Sequence, residues 1–259
     1  MIATLARHLP QPARRALYGF SRRFIDACDG ANDPDMITNG EARLLREMIP
    51  QCRVVFDVGA NVGDWAEIAL ACNPAIELHC FEPSPATFER LMTRSFAPRL
   101  KANPFGLSSS SGAADLHVFA AASGMNSLYR RNGLDDRGIA SPATSERVEL
   151  ETLDGYCAEH GIDSIDFLKL DVEGHELHVL RGAARALSAG RIGAVAFEYG
   201  GCNIDAHVLL KDIFELAADW PYEFFRILPD GLRPVPAYRQ ALEDFRYSNW
   251  LMRRRGRPA

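Results

Sequence analysis

The stretch that decides the fold runs from Val54 to Asp64 and reads VVFDVGANVGD. An apolar run ends on an acid, Asp57, and two glycines, Gly59 and Gly63, precede the helix-like sequence WAEIAL. This order predicts a buried strand, a tight turn and the start of a helix. Glycine in such a turn lets the backbone approach a ligand where a side chain would clash. The first N–H groups of the helix are then free to face an anion.

The acids at the strand ends discriminate among nucleotide ligands. Asp57 would repel the phosphates of a dinucleotide, but it would attract a ligand that carries an ammonium group. The spacing also differs from G-x-G-x-x-G, because position 61 is Asn and the third glycine is missing. A second apolar run, Ile76 to Phe81, ends on Glu82, 25 residues after Asp57, where an acid can bind two ribose hydroxyls. Both acids favour an amino acid joined to adenosine, such as S-adenosylmethionine. Another α/β nucleotide fold with a glycine turn is the alternative.

Three blocks, VFDVGANVGDWA, FEPSPATFERL and FLKLDVEGHELHVLRGA, follow one another along the chain. In sequence, order and separation they resemble the signature blocks of the FkbM-type S-adenosylmethionine-dependent methyltransferases, from about Arg53 to about Trp250. The third block, with K-x-D-V-E-G-x-E from Lys169 to Glu176, is the most specific to that family. The resemblance implies a Rossmann-like class I methyltransferase fold and O-methylation of hydroxyls on sugars, polyketides or other natural products.

Composition excludes several other classes of protein. The 259 residues are 47% apolar and 24% charged, which is typical of a globular chain. A net charge of −5 gives no support to a nucleic-acid partner. The six cysteines are scattered without a C-x-x-C pair, which favours reduced thiols in a cytoplasmic protein over a zinc site or a disulfide framework. No apolar run approaches the ~20 residues of a transmembrane segment, and no signal peptide is recognised.

Apolar runs alternate with helical patterns after residue 50, which predicts an α/β domain over residues 51–259. We expect a seven-stranded, mostly parallel sheet with helices on both faces and an antiparallel last strand. Strands are predicted at about 53–57, 76–81, 99–105, 165–170, 193–198, 222–228 and 246–252, and helices at about 64–72, 85–95, 154–160, 175–188 and 206–218. An inserted β-pair is predicted at 114–120 and 147–153.

Residues 1–50 are predicted to form a helical extension. From Thr4 to Phe24, apolar residues recur at helical spacing with five arginines between them. Such a helix can bind an anionic surface or partner, or it can pack on the domain or on a second subunit. We favour packing, and a homo-oligomer is compatible with the sequence.

The segment 121–146, between the two strands of the inserted pair, is long, polar and without periodicity. A loop of this length in a compact domain is usually functional or disordered. Its Asn126-Ser127-Leu128 resembles a Ser-Leu element of many FkbM members. We interpret the segment as a substrate-facing lid or as a mobile loop.

The sequence and the resemblance together predict the cofactor site. Asp57 is expected to bind the methionine ammonium directly or through water, and Glu82 the ribose hydroxyls. Asn61 is expected near the methionine part, and Phe81 and Pro83 beside the adenosine. The turn after the third strand, at 103–108, is expected to contact adenine, with a surface turn as the alternative. The full set is Asp57, Gly59, Asn61, Gly63, Phe81, Glu82, Pro83, Gly106, Leu107 and Asp171.

The third block supplies the candidate catalytic residues. Removal of a proton from the acceptor hydroxyl needs a base, and the candidates are Asp171, Glu173 and His175. The family resemblance does not fix a histidine at position 175. Asp171 has the alternative role of N-cap to the next helix. Asp171 and Glu198, at the ends of successive predicted strands, can also be read as ligands of a divalent ion, but we expect no metal.

The leading hypothesis is therefore an S-adenosylmethionine-dependent O-methyltransferase that acts on a small hydroxylated acceptor. A nicotinamide-dependent oxidoreductase on the same sheet is a second hypothesis, which Asp57 and the lost third glycine disfavour. A non-catalytic cofactor-binding domain with a protein partner is a third.

Overall fold

The structure, a computed structural model, describes residues 9–120, 123–131 and 144–256. Its strands are β1 (Val54–Val58), β2 (Glu77–Phe81), β3 (Leu100–Asn103), β4 (Gly106–Leu107), β5 (Gly112–Val118), β6 (Thr144–Glu151), β7 (Ile165–Leu170), β8 (Ile192–Tyr199), β9 (Tyr222–Leu228), β10 (Gly231–Pro234) and β11 (Ser248–Arg254). Eight of these form one sheet in the order β10-β9-β11-β8-β7-β1-β2-β3. Neighbours from β8 to β3 are parallel, and β11 is antiparallel to both β8 and β9.

Helices cover the sheet on both faces. They are α1 (Gln11–Asp29), α2 (Glu41–Met48), α3 (Asp64–Cys72), α4 (Pro85–Met92), α5 (Leu153–His160), α6 (Glu176–Gly182), α7 (Ala184–Ser188), α8 (Cys202–Ala206) and α9 (Leu210–Leu216). Successive residues of a strand point to opposite faces, so the apolar central strands feed two cores. Val55 and Phe167 belong to one core, and Phe56 and Leu168 belong to the other. The predicted α/β architecture with an antiparallel last strand is thereby confirmed.

The structure corrects some predicted elements. The sheet has eight strands, not seven, because the short β10 pairs antiparallel with β9 after a tight turn. The helix predicted over 206–218 is shorter, since α9 covers only Leu210–Leu216. A separate helix, α8, ends at Ala206 because His207 has a φ of +54°. The helix predicted over 175–188 is divided into α6 and α7 at Ala183.

The inserted β-pair is present, with shifted bounds. β5 and β6 pair antiparallel, with Ala114 opposite Val148, and β4 pairs parallel with β6 to complete a second, three-stranded sheet. Most of the predicted substrate loop between β5 and β6 lies outside the described residues. Residues 123–131 are described, and Ser127 forms an isolated bridge with His117 of β5.

The contacts that attach helix α1 to the described part of the domain lie near the end of the helix. Arg246 contacts Asp26 at 3.0 Å and Asp29 at 2.8 Å, and Arg226 donates to the carbonyl of Asp29. None of the α1 residues is buried by the described part of the chain, so the expected packing on the domain is wrong for these residues. The predicted start at Thr4 lies outside the described residues. Within the described ranges, we find no helix with the length and apolar character to cross a membrane.

Candidate functional site

The site lies where the carboxyl ends of β1, β2 and β7 meet, since Val58 of β1 stands beside Phe81 and Leu170. Ligands of open α/β sheets bind at this edge. A cleft of about 700 Å³, including its open part, occupies it. Lining residues come from both sheets and from residues 123–128. They include ten predicted site residues: Gly59, Asn61, Phe81, Glu82, Pro83, Gly106, Leu107, Asp171, Glu173 and His175.

The turn after β1 brings two backbones into contact. Gly59 has a φ of +79°, and a Cβ at this position would lie 1.9 Å from the carbonyl oxygen of Asp171. Only glycine fits here, so the β1 turn and the β7 turn can close on one another. Gly63 is different, because a Cβ there would meet Leu91 of α4 at 2.7 Å. Gly63 therefore serves helix packing and, contrary to expectation, does not line the cleft.

Glu82 is held by backbone N–H groups on both of its carboxylate oxygens. Asn61 donates its N–H to Oε2 at 3.0 Å, and Ser84 donates its N–H to Oε1 at 2.9 Å. Burial raises the pKa of Glu82 to about 7, although the two N–H donors act to lower it. A carboxylate oxygen has two acceptor positions, so each oxygen keeps capacity for a further donor. Glu82 is thus a rigid acceptor in the wall of the cleft.

Asp57 lies beneath the cleft and is not among its lining residues. Its side chain has no exposed surface, and its Oδ1 lies 3.1 Å from Nζ of Lys169, its neighbour across the β1–β7 pair. The same ammonium contacts Oδ2 of Asp171 at 3.3 Å and donates to the carbonyl of Gly59. Burial alone would lower the pKa of Lys169, but Asp57 and Asp171 raise it. The geometry therefore favours an action of Asp57 through Lys169 over direct contact with a ligand.

Asp171 also belongs to a group of three carboxylates. Oxygens of Asp171, Glu173 and Glu198 lie within 4.8 Å of one another, close enough to share a cation. Glu173 already receives a hydrogen bond from Arg131 at 2.6 Å. Burial, followed by Asp171, raises the pKa of Glu173 to about 8 against the opposing effect of Arg131. Burial and the neighbouring acids also raise the pKa of Glu198, which accepts a hydrogen bond from Tyr247 at 2.6 Å.

Glu176 shapes the turn that carries these acids. Glu173 and Gly174 both have positive φ, at +52° and +101°. Oε1 of Glu176 accepts the N–H groups of Val172 at 3.1 Å and Gly174 at 3.3 Å, which closes the turn. Helix α6 starts after this turn with His175 as its N-cap, so Asp171 does not have the alternative capping role.

His175 reaches the cleft, but both of its ring nitrogens are engaged. Nε2 lies 2.9 Å from the hydroxyl of Ser108, and Nδ1 lies 2.8 Å from the hydroxyl of Tyr129. A neutral imidazole donates from one nitrogen and accepts at the other, so either tautomer satisfies both hydroxyls. Burial, together with His178, lowers the pKa of His175 to about 3. His175 is thereby better suited to hold Tyr129 in place than to accept a proton.

Sequence reasoning missed Tyr129 and Arg131, and it named Ser108 only as part of the turn expected to contact adenine, not as a partner of His175. These side chains reach the site from the turn after β4 and from the segment before residue 132, far from the third signature block in sequence. The available signal was the run YRR, an aromatic residue and two arginines directly after Asn126-Ser127-Leu128 in a polar segment. Asn126, Ser127 and Leu128 themselves line the cleft, and the Ser127 hydroxyl donates to the carbonyl of Glu173 at 2.8 Å.

Residues 57–224 match the family model described as the Methyltransferase FkbM domain. Hexuronic acid methyltransferase AglP of Haloferax volcanii is 32% identical over 174 residues, which cover 66% of this chain and 66% of that protein. The 31-O-demethyl-FK506 methyltransferase FkbM of Streptomyces tacrolimicus is 31% identical over 156 residues, 51% of this chain and 60% of that protein. The matches thus span about two thirds or less of the length of these relatives.

Among solved structures, methyltransferase FkbM from Methylobacillus flagellatus superposes with a TM-score of 0.51 and 19% identity. The superposition covers 96% of this chain and 57% of that one. This likeness supports the fold, which is the Rossmann-like fold of class I methyltransferases with a mostly parallel central sheet.

Proposed function

The chain belongs to the FkbM methyltransferase family, whose cofactor is S-adenosylmethionine, and we propose that it methylates a hydroxyl of a sugar or of another small polar natural product. The observation that carries this proposal is the pair of acids, Asp171 and Glu173, in the wall of a cleft that Glu82 lines as well. The names of the two relatives, a hexuronic acid methyltransferase and a methyltransferase that acts on an oxygen, support an acceptor of this class.

The cleft offers the cofactor both acceptors and negative charge. Glu82 binds the ribose hydroxyls with the acceptor positions that Asn61 and Ser84 leave available. The ammonium and the sulfonium of the cofactor are positive, and Asp171 and Glu82 present carboxylate oxygens to the cleft that attract positive groups. Asp57 acts from below by fixing Lys169 under Gly59. The cofactor supplies a methyl group that is activated by attachment to a positive sulfur.

Glu173 is the base in this proposal. An alcohol must lose its proton as the new bond to carbon forms, and a base works best when its pKa is near the operating pH. The pKa of Glu173, about 8, meets that condition, whereas His175 has both nitrogens engaged and a pKa of about 3. Arg131 orients the Glu173 carboxylate through its 2.6 Å contact.

We retain the expectation that no metal is required. Three carboxylates can bind a divalent cation, but Arg131 already brings a positive charge to Glu173. Methyl transfer measured in the presence of a chelator tests this point. If the activity is lost and returns when Mg²⁺ is added, the three acids bind a metal ion.

The six free cysteines support a reducing, cytoplasmic compartment for the protein. In this proposal residues 51–259 form the transferase domain, and 1–50 are an extension.

The test uses S-adenosylmethionine labelled in its methyl group. The protein is incubated with uronic acid glycosides, with neutral glycosides and with a catechol, and the labelled products are located by mass spectrometry. We expect label on a sugar oxygen, and loss of labelling in Glu173→Gln. Label found only on the catechol, or only on the carboxylate of the uronic acid, would reject the proposed acceptor class. Failure of the folded protein to bind S-adenosylhomocysteine would reject the transferase itself.

A further inference from the structure

Helix α1 presents a large apolar surface that nothing in the described chain covers. The exposed side chains include Leu17 (51%), Phe20 (64%) and Phe24 (62%). Five of the nine large hydrophobic side chains that are exposed in the described residues belong to this one helix. Single exposed apolar residues are ordinary, but a cluster of this kind marks an interaction surface.

The apolar residues form one stripe along α1. Ala13, Leu17, Phe20, Phe24 and Ala27 recur at alternating intervals of four and three residues, which places them on one face. Phe20 and Phe24 stack, with ring centroids 6.4 Å apart. We call this face the apolar stripe.

The charges beside the apolar stripe are all positive. The positions that flank it are 14, 16, 21, 23 and 28, and their only charged residues are Arg14 and Arg23. Arg15 and Arg22 lie farther round the helix. The two acids of α1, Asp26 and Asp29, are turned to the domain and are paired with arginines there. The surface that faces outward is therefore apolar with a basic border.

The arginines beside the apolar stripe favour an anionic lipid surface over a second copy of the chain as its binding partner. If a second copy paired through the same stripe, flanking positions would face flanking positions, and arginine would meet arginine without an acid. An anionic lipid surface, in contrast, accepts the apolar side chains between its acyl chains and the guanidinium groups at its phosphates. The whole chain has a charge of −5, so attraction to such a surface has to be local to α1.

The attachment of α1 also places the end of the helix at the edge of the sheet that carries the cleft. The residues that follow the helix reach the carboxyl end of the sheet, where Asn32 and Tyr247 exchange hydrogen bonds. The Tyr247 hydroxyl in turn contacts Glu198 of the acid group. Ile204 of α8, the helix that follows β8, is exposed at this edge as well.

We propose that α1 lies flat on an anionic membrane surface through its apolar stripe and arginine border, and thereby holds the cleft edge of the domain near the lipid headgroups. The proposal does not depend on the acceptor or on the chemistry of the cleft. It concerns attachment to the surface only, since α1 does not cross a membrane.

The test is co-sedimentation of the full chain with two kinds of vesicle, phosphatidylcholine alone and equal parts of phosphatidylcholine and phosphatidylglycerol. We expect binding to the mixed vesicles and little binding to phosphatidylcholine, with a decline as salt is raised. Phe20→Ser with Phe24→Ser should weaken binding at least about tenfold. Arg14→Gln with Arg23→Gln should weaken it by a similar factor, because each arginine contributes about fivefold.

Two control variants remove an exposed apolar residue and an arginine away from α1, Met92→Ser and Arg255→Gln, and both should bind as the parent does. Binding of S-adenosylhomocysteine by every variant establishes that the domain is folded. The proposal is overturned by equal binding to both vesicles, by no binding, or by variants of α1 that bind normally. Sedimentation equilibrium tests the alternative that two copies pair through α1. A dimer that dissociates in the phenylalanine variants would show that the apolar stripe binds a second copy.

Discussion

Lys169 Nζ lies 3.1 Å from Oδ1 of Asp57, a side chain with no exposed surface. The two residues are direct neighbours on β7 and β1, so the pairing is built into the sheet. A carboxylate in this position is stable only because the ammonium accompanies it, since an unpaired buried charge is strongly unfavourable.

Lys169→Met should therefore reduce the free energy of unfolding by about 3–5 kcal/mol, because it leaves Asp57 charged and unpaired. The double variant Asp57→Asn with Lys169→Met should lose less than the single variant does. Urea denaturation measures both. Lys211→Met, which removes an exposed pair with Glu215, is the control and should cost about 1 kcal/mol or less. If the double variant is no more stable than Lys169→Met, the pair does not carry this energy.

The affinity for S-adenosylhomocysteine should depend on pH through Glu82. Ribose hydroxyls donate to the ionised carboxylate, and the free group has a pKa of about 7. Binding should accordingly strengthen as the pH rises through 7, and should be about tenfold weaker at pH 6 than at pH 8. Glu82→Gln should bind at least ~10-fold more weakly at pH 8, a loss of about 1.4 kcal/mol. Calorimetry across this range checks both statements. A pH dependence that persists in Glu82→Gln would contradict the assignment.

The rate of methyl transfer should rise with pH and level off above about 8, because the base has to be ionised and the pKa of Glu173 is about 8. Glu173→Gln should lower kcat by about 10²–10⁴-fold while it leaves the affinity for S-adenosylhomocysteine nearly unchanged. Glu149→Gln removes an exposed acid of β6 and is the control.

Arg131→Gln refines this assignment. Loss of the arginine removes an effect that lowers the pKa of Glu173, so the midpoint of the rate profile should move to higher pH. A midpoint that stays fixed in Arg131→Gln would point to another base.

Gly59→Ala should lower the free energy of unfolding much more than the same substitution does at a left-handed position with open space around it. Gly59 and Gly161 both have positive φ, at +79° and +64°, but only the first would place its Cβ against a carbonyl oxygen. Gly161→Ala should cost about 1–2 kcal/mol for its backbone conformation. Gly59→Ala should cost about 1–3 kcal/mol beyond that, because β1 and β7 turns have to separate. Equal losses in thermal unfolding would show that the contact with Asp171 is unimportant.

The local sequence pattern was sufficient to predict the central strands. The runs that became β1, β2, β7 and β8 are apolar because both faces of these strands are buried, and the acids that follow them share one sheet edge by topology alone. The polar strand β10 carries no such pattern, since it exists only through its pairing with β9. Likewise, nothing in the spacing indicates that His207 takes a left-handed conformation and ends a helix.

The part of the site that could be predicted from the sequence consists of residues that directly follow the strands. Glu82, Asp171 and Glu173 follow strands and line the cleft as expected. The placement of Asp57 depends on its register with Lys169, and sequence separation gives no information on which residue of β7 stands beside it. The contacts of Tyr129 with His175 and of Arg131 with Glu173 cross more than forty positions of chain and require the folded insertion.

The segment that forms the second sheet begins and ends at adjacent points of the structure. Leu107 of β4 stands beside Glu151 of β6, and the Ser108 N–H donates to the Glu151 carbonyl at 2.8 Å. The described residues between them form an excursion whose two ends are hydrogen-bonded neighbours, and Leu116 with five residues of the segment 123–128 lines the cleft. Such an excursion can be exchanged as a cassette during evolution. Relatives that share the acids at the strand ends can therefore differ in their acceptor while the cofactor site stays the same.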